Sequence, residues 1–290
     1  MGRALKAGVT AGSLARALGL TLRGPAEKVI SRVDSAEVAE AGSLCFATTS
    51  AWAEKASGQC LLIAADEHLD NRRGPTLLSI QPRLDFARAL DFLETIAGFV
   101  WSKEEPVVHP SARVGCNVVI GRGVRIGPNT VLHHNVVIGD EVVIGARCIV
   151  KSGAVIGEEG FGFERDAKGR AVRLPHLGAV VIGDDIEVGS LTTVCRGTLG
   201  DTVLRDGCKI DDHVHIAHNV DVGEGAFVIA CAEVSGGVRI GPRAWIAPNA
   251  SVLNQLTVGA DAVIGLGAVV VKPVPDNAVV VGNPAKPLTR

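Results

Sequence analysis

The densest set of chemically able side chains is Asp211-Asp212-His213-Val214-His215-Ile216-Ala217-His218-Asn219. Three histidines and two aspartates fall within eight residues there. An imidazole titrates near neutral pH, so it can take a proton and return it within one catalytic cycle when a neighbour orients it. One histidine would read as part of a solvated polar flat; three beside carboxylates read as a general-base site. A metal is the alternative, because His213 and His218 are five apart. A zinc site would need a third ligand, and the nearest upstream histidine, His176, lies off the repeat described below. No metal is therefore expected. The chain has no GxSxG nucleophile elbow, no P-loop and no dinucleotide fingerprint after a strand.

A six-residue beat positions this cluster. Aliphatic residues return every six positions in three runs, usually with Gly next: Val114 to Ile156, Ile182 to Val194, and Leu204 to Val270. The position two before each is also apolar or small, as at Val136, Val142, Ala226 and Ala250. Two inward residues separated by one outward residue make a short strand. A fixed period of six predicts a parallel β-helix of hexapeptide repeats, with about eighteen residues per coil and seven or eight coils. Ile210, Val214 and Ile216 keep the beat through the cluster, so the alternation turns several of its polar residues outward.

The beat breaks twice. An insertion, Gly157 to Val181, carries Gly160-Phe161-Gly162-Phe163, and Val194 to Leu204 is ten positions instead of six. Insertions in a solenoid leave from a corner. Phe161 and Phe163 are expected either to meet an acyl chain or neighbouring subunit, or to fold back on their own coil.

Residues 1–104 lack the beat and read as a separate α/β domain that caps the first coil, with the β-helix domain at 105–290. A helix is predicted over Ser13 to Leu20, and strands over Val29 to Val33 and Leu61 to Ala65. A further helix is predicted from Pro82, with Leu84, Ala87, Leu90, Phe92, Leu93 and Ile96 as its apolar face.

The formal net charge is −2, which supplies no field to recruit nucleic acid or an anionic membrane. No apolar run reaches the roughly 18 residues of a spanning helix, and the N-terminus lacks the basic-then-apolar order of a secretory signal. Seven cysteines without paired spacing suit a reducing cytoplasm. Cys148 and Cys208 fall on the small inward position and read as packing residues.

Four stretches together resemble a known family. These are Gly160-Phe161-Gly162-Phe163, Leu174-Pro175-His176-Leu177-Gly178, Val181-Ile182-Gly183-Asp184-Asp185 and Ile216-Ala217-His218-Asn219-Val220. The chain is similar over nearly its whole length to the UDP-3-O-(3-hydroxyacyl)glucosamine N-acyltransferases of bacterial lipid A synthesis. The resemblance implies a left-handed β-helix, a homotrimer with active sites in the grooves between subunits, and no cofactor beyond the phosphopantetheine arm of an acyl thioester. It implies His218 as the base that deprotonates the 2-amine of the sugar, the Gly236 N–H as oxyanion donor, and Asp211 as a residue orienting base or sugar. His215 stands where the family often has Gln and becomes a candidate sugar contact. Phe46 and Trp52 match the aromatic pair that stacks on uracil, with Trp in place of the usual Tyr.

Three departures accompany the match. Cys195 stands where the family usually has Asp, and Gln255 where it has a second functional His near the donor arm. The sequence stops at Arg290, where the family typically continues into helices that help dock acyl carrier protein. The donor is accordingly expected to be acyl carrier protein or a CoA thioester. The rival acceptor is another nucleotide-linked amino sugar. Readings from other classes are a metal-dependent hydratase and a nucleotide-sugar-binding trimer without activity.

Overall fold

The computed structural model describes residues 2–69 and 72–288. It divides into two compact units. One comprises Met1–Trp101, Phe161–Gly178 and Thr198–Gly200; the other comprises Ser102–Gly160, Ala179–Gly197 and Asp201–Arg290.

The second unit is a left-handed parallel β-helix. Its strands are mostly two residues long and build three parallel sheets of eight, ten and eight strands, the ten-stranded sheet closing with one antiparallel strand at its end. The first sheet starts at Val107–Val108, the second at Arg113–Val114 and the third at Val119–Ile120. In nearly every strand the second residue points inward. From Ile126 to Val270 these residues, with the small ones two before them, form one continuous buried core.

The corners explain the remaining residues of the beat. The residue three past each inward aliphatic takes a left-handed backbone, as at Asn129, Asn135, Asn219 and Asn249. Asn tolerates that conformation better than other non-glycine residues. The Gly directly after the aliphatic serves another purpose. A Cβ on Gly127 would lie 2.6 Å from the backbone of Gly145 in the next coil, so the glycine permits close stacking of coils.

The two interruptions appear as jumps in register. Val119 pairs with Val137 and Val137 with Val155, but Val155 pairs with Thr193 and Thr193 with His215. The pairing then resumes its ordinary step, His215 to Glu233 and Glu233 to Ser251. The chain leaves the coils and returns to them in register because the inward aliphatics on both sides share one core.

The first unit is a six-stranded mixed sheet. Its strands are β1 (Arg3–Thr10), β2 (Thr21–Arg23), β3 (Val29–Val33), β4 (Ser43–Phe46), β5 (Leu61–Ala64) and β6 (Thr76–Leu78), in the order β1-β3-β4-β5-β6-β2. β3 to β6 run parallel and β1 and β2 are antiparallel edges. Helix α1 (Ala11–Leu18) begins two residues before the predicted Ser13, because the Thr10 hydroxyl accepts the Ser13 N–H at 3.2 Å. Gly19, at φ 66°, ends it. Helix α2 is Ser50–Lys55 and α3 is Pro82–Ile96. The buried stripe of α3 holds Leu84, Ala87, Leu90 and Leu93 as expected. Phe86 and Ala89 join it, whereas Phe92 is only half-buried and Ile96, the last residue of the helix, is 49% exposed. A helix laid on a sheet buries a wider stripe than one row of i, i+3 and i+4 contacts.

The insertion is grouped with this first unit. Phe163–Arg165 and Ala171–Arg173 form an antiparallel hairpin, and Arg83 of α3 pairs with Glu164 at 3.0 Å. Leu174, Leu177 and Leu199 are buried in the same core as Leu90 and Leu93. No helix among the described residues is long and apolar enough to cross a membrane.

Candidate active site

The polar cluster divides between two corners of one coil. Asp211, Asp212 and His213 form the corner before the strand His215–Ile216, and His218 and Asn219 form the corner after it. His213 and His218, five apart in sequence, therefore stand at opposite ends of one flat.

The first corner repeats a structural device. Where Asp lies two past an inward aliphatic, its Oδ1 accepts the N–H of the matching residue one coil below. Asp140 takes the N–H of Arg122, Asp184 that of Ala146, Asp206 that of Asp184, and Asp276 that of Ala260, each at 2.8 Å. Asp212 does the same for Ser190 at 2.6 Å. Asp211 accepts the Ala230 N–H from the coil above at 3.2 Å, and its carbonyl takes the Thr192 hydroxyl at 2.6 Å. The carboxylates that drew notice as chemistry thus also tie coils together.

The second corner differs. His218 occupies the position that Asp fills elsewhere, and its Nδ1 lies 3.1 Å from Asn219 Oδ1. With the amide oxygen as acceptor, Nδ1 would carry the hydrogen and Nε2 would be the basic nitrogen. One coil above stands Gly236, since Ile216 pairs with Val234. A Cβ there would meet the imidazole at 2.6 Å (Cε1) and 2.7 Å (Nε2). The ring therefore lies against the Gly236 backbone. The Gly236 carbonyl accepts the Gln255 N–H at 2.9 Å, while its own N–H donates to no other group among the described residues. Gln255 continues this corner one coil higher, with an exposed side chain and φ of 62°. His218, Gly236 and Gln255 are thus brought to one corner, and Asp211 is not.

His215 is exposed on the flat between, where its Nδ1 shares a hydrogen with the Thr193 hydroxyl at 2.7 Å. Sequence reasoning passed over Thr193 and Asn219. The ten-residue spacing after Val194 could have revealed Thr193, because it sets a 22-residue step between them. Arg196 was also passed over. It lies under His218, since Val194 pairs with Ile216. Its guanidinium is buried and donates to the Gly157 carbonyl (2.7 Å) and the Asp140 carbonyl (2.7 Å). Cys195, beside it, is buried, and burial pushes its thiol up to about 11, with Glu158 adding to the effect.

The aromatic candidates lie in the first unit. Phe46, at the end of β4, is half-buried and packs on Phe86 with ring centroids 4.7 Å apart. Trp52, in α2, is 41% exposed, with the Lys55 ammonium 4.2 Å from its ring centre. Phe161 is 87% exposed and touches Phe163 at 4.9 Å between centroids. Phe163 is half-buried, with the Arg173 guanidinium over its ring at 5.4 Å.

The coils have counterparts among known proteins. The pattern of the bacterial transferase hexapeptide family (six repeats) matches residues 126–158. UDP-3-O-acylglucosamine N-acyltransferase of Delftia acidovorans is 35% identical, over 94% of this chain and 86% of the relative. The protein of that name in Coxiella burnetii is 33% identical, over 77% of this chain and 73% of the relative. Among solved structures, the UDP-N-acetylglucosamine acyltransferase of Francisella novicida superposes with a TM-score of 0.55 at 29% identity. The superposition covers 63% of this chain and 68% of the other. Relatives this similar along most of their length place the chain in the UDP-3-O-acylglucosamine N-acyltransferase family.

Proposed function

We propose that this protein transfers an acyl group, with a 3-hydroxyacyl chain as the reference case, to the 2-amine of UDP-3-O-acyl-glucosamine. The donor is a pantetheine thioester borne by acyl carrier protein or CoA. The observation that supports this most is the single corner holding His218 and Gly236. The amine attacks the thioester carbonyl while His218 Nε2 takes its proton. The carbonyl π electrons move onto oxygen, and the Gly236 N–H donates to that oxyanion. Collapse of the tetrahedral intermediate breaks the C–S bond, and the imidazolium returns the proton to the leaving sulfur. Asn219 holds the tautomer that this sequence requires. The chemistry calls for no metal.

The further parts of the reading follow from the family. The protein works as a cytoplasmic homotrimer, and its active sites lie in grooves between subunits, so Asp211 of one subunit is free to serve a site whose His218 comes from another. Phe46 and Trp52 receive the uracil ring, which a flat indole face can stack as a phenol does. His215 and Gln255 offer hydrogen bonds to sugar or donor arm, and the exposed Phe161 with Phe163 offers an apolar contact to the acyl chain.

The deciding experiment offers UDP-3-O-acyl-glucosamine with 3-hydroxyacyl carrier protein and, separately, with the matching acyl-CoA. N-acylated product from either donor, abolished in His218→Ala, is the expected result. No product on this acceptor, with turnover on another nucleotide-linked amino sugar, would overturn the acceptor assignment.

A further inference from the structure

The first unit contains a buried thiol pair that acyl transfer does not use. Cys45 lies in β4 and Cys60 just before β5, and their sulfurs are 3.4 Å apart. Both side chains are buried. The Arg72 guanidinium wraps this point: Nη1 donates to the Ala56 carbonyl at 2.8 Å, and Nη2 to the carbonyls of Ser57 (2.9 Å) and Cys60 (3.2 Å). The same Nη2 lies 3.4 Å from Cys60 Sγ. As a thiol, Cys60 donates to the Ser57 carbonyl at 3.0 Å. As a thiolate it keeps two donors, Cys45 and Arg72.

We propose that Cys45 and Cys60 are a redox modification site, closing reversibly to a disulfide that constrains the segment carrying Phe46 and Trp52.

The two sulfurs are unequal in the way such chemistry needs. The hydrogen bond from Cys45, with Arg72 adding to it, pulls the Cys60 thiol down to about 7. Cys45 is pushed up, first by that same bond and then by burial. The Arg72 guanidinium sits against the Cys60 sulfur, so Cys60 serves as the nucleophile and Cys45 as the resolving thiol. With a hydroperoxide as oxidant, the Cys60 thiolate attacks one peroxide oxygen and the O–O bond breaks. Cys60 becomes a sulfenic acid, and hydroxide or alkoxide leaves. Cys45 then attacks the Cys60 sulfur, forming the S–S bond and releasing water. Each sulfur is oxidised by one electron overall and the peroxide is reduced by two. Gly58 and Gln59, which precede Cys60 directly, are exposed.

Closure brings the sulfurs from 3.4 Å to the roughly 2.05 Å of a bond. The closed loop, 45–60, contains Phe46 and all of α2 with Trp52. Oxidation is thus expected to alter uridine binding, a consequence that rests on the function proposed above. A pair of this kind, buried and poised in a reducing compartment, fits a transient sensor and not a structural staple.

The full chain, reduced and freed of reductant, would be treated with a few equivalents of hydrogen peroxide, alkylated, digested and mapped by mass spectrometry. A Cys45–Cys60 linked peptide that dithiothreitol reverses is expected, forming severalfold more slowly in Arg72→Gln. The affinity for UDP should differ between the reduced and linked forms. Recovery of both cysteines as thiols while the exposed Cys116 and Cys231 oxidise would overturn the proposal, as would a sulfinic acid at Cys60 without the link. An unchanged Kd for UDP in the linked form would overturn the switch. If neither form binds UDP, the nucleotide reading fails, and the linked peptide still decides the modification site.

Discussion

The imidazole of His218 fills the space that a side chain at position 236 would need, with its Cε1 only 2.6 Å from where a Cβ on Gly236 would stand. The φ of Gly236 is not left-handed, so the glycine is required by the neighbouring ring and not by the backbone. Gly236→Ala should therefore fold normally yet displace the imidazole. A shift of about 1 Å in a catalytic group can cost on the order of 100-fold in rate. Steady-state kinetics would show the loss in kcat, with the thermal transition close to wild type. Unchanged kcat would mean that His218 is not the base or that its ring moves aside freely.

His218→Ala tests the base directly. Turnover should fall by roughly 10²–10⁴-fold, the usual contribution of a general base, with circular dichroism unaltered. Asn219→Ala should give a smaller loss and shift the pH profile of kcat, because the Nδ1 hydrogen loses its acceptor. A folded His218 variant with near-normal turnover would remove the mechanism.

Trp52→Ala should raise KM for the UDP-sugar and leave kcat nearly intact. Stacking of a base on an aromatic ring is worth about 1–3 kcal/mol by alanine substitution, or roughly ten- to hundredfold in affinity. Trp52→Phe should restore most of it. A KM unchanged in Trp52→Ala would place the uracil elsewhere.

Arg196→Met should lower stability without touching chemistry directly. It leaves the Gly157 and Asp140 carbonyls, both now within 2.7 Å of the guanidinium, without that donor. The Gly157 carbonyl is buried, and an orphaned buried acceptor costs about 1–3 kcal/mol; the Asp140 carbonyl is only partly buried and adds less. Urea denaturation would report the loss, and an unchanged midpoint would show that water or other donors replace the arginine.

Acid should weaken the corners of the coils. Hydrogen bonds from Arg147 hold the Asp185 carboxyl below its ordinary 3.8, and those from Arg243 do the same for Asp261. Depressed folded values mean that the contribution is present above the unfolded value and is lost as pH falls through the folded one. Both pairs are exposed, so each effect is small. The urea midpoint should fall between about pH 5 and 2, with a shallower fall in Arg147→Gln. An identical acid limb in that variant would refute the assignment.

Much of the coil architecture was legible in the sequence because a solenoid makes every repeat solve the same problem. Each aliphatic of the beat meets the aliphatic one coil away, as Ile210 pairs with Val228 and Val228 with Ile246. A local pattern of spacing two and six therefore determines sheet, register and core together. The insertion and the ten-residue step were legible as breaks in that beat. The likeness to the N-acyltransferase family was legible in the motifs around Phe161 and His218.

Only the tertiary structure decided what each polar residue faces. Asp211 and His218 are seven apart in one motif, yet a turn and a strand intervene and set them at different corners. Gly236 is eighteen positions from His218, yet one coil of stacking puts its backbone against the ring. Sequence spacing fixes position along a coil; which groups touch across coils depends on the stacking of backbones about 4.8 Å apart and on where each insertion lets the chain rejoin. The same holds in the first unit. Cys45 and Cys60, fifteen apart without paired spacing, carry no signal of their own in the sequence. Parallel pairing of β4 with β5 brings their sulfurs together beside an arginine that no local pattern connects to either.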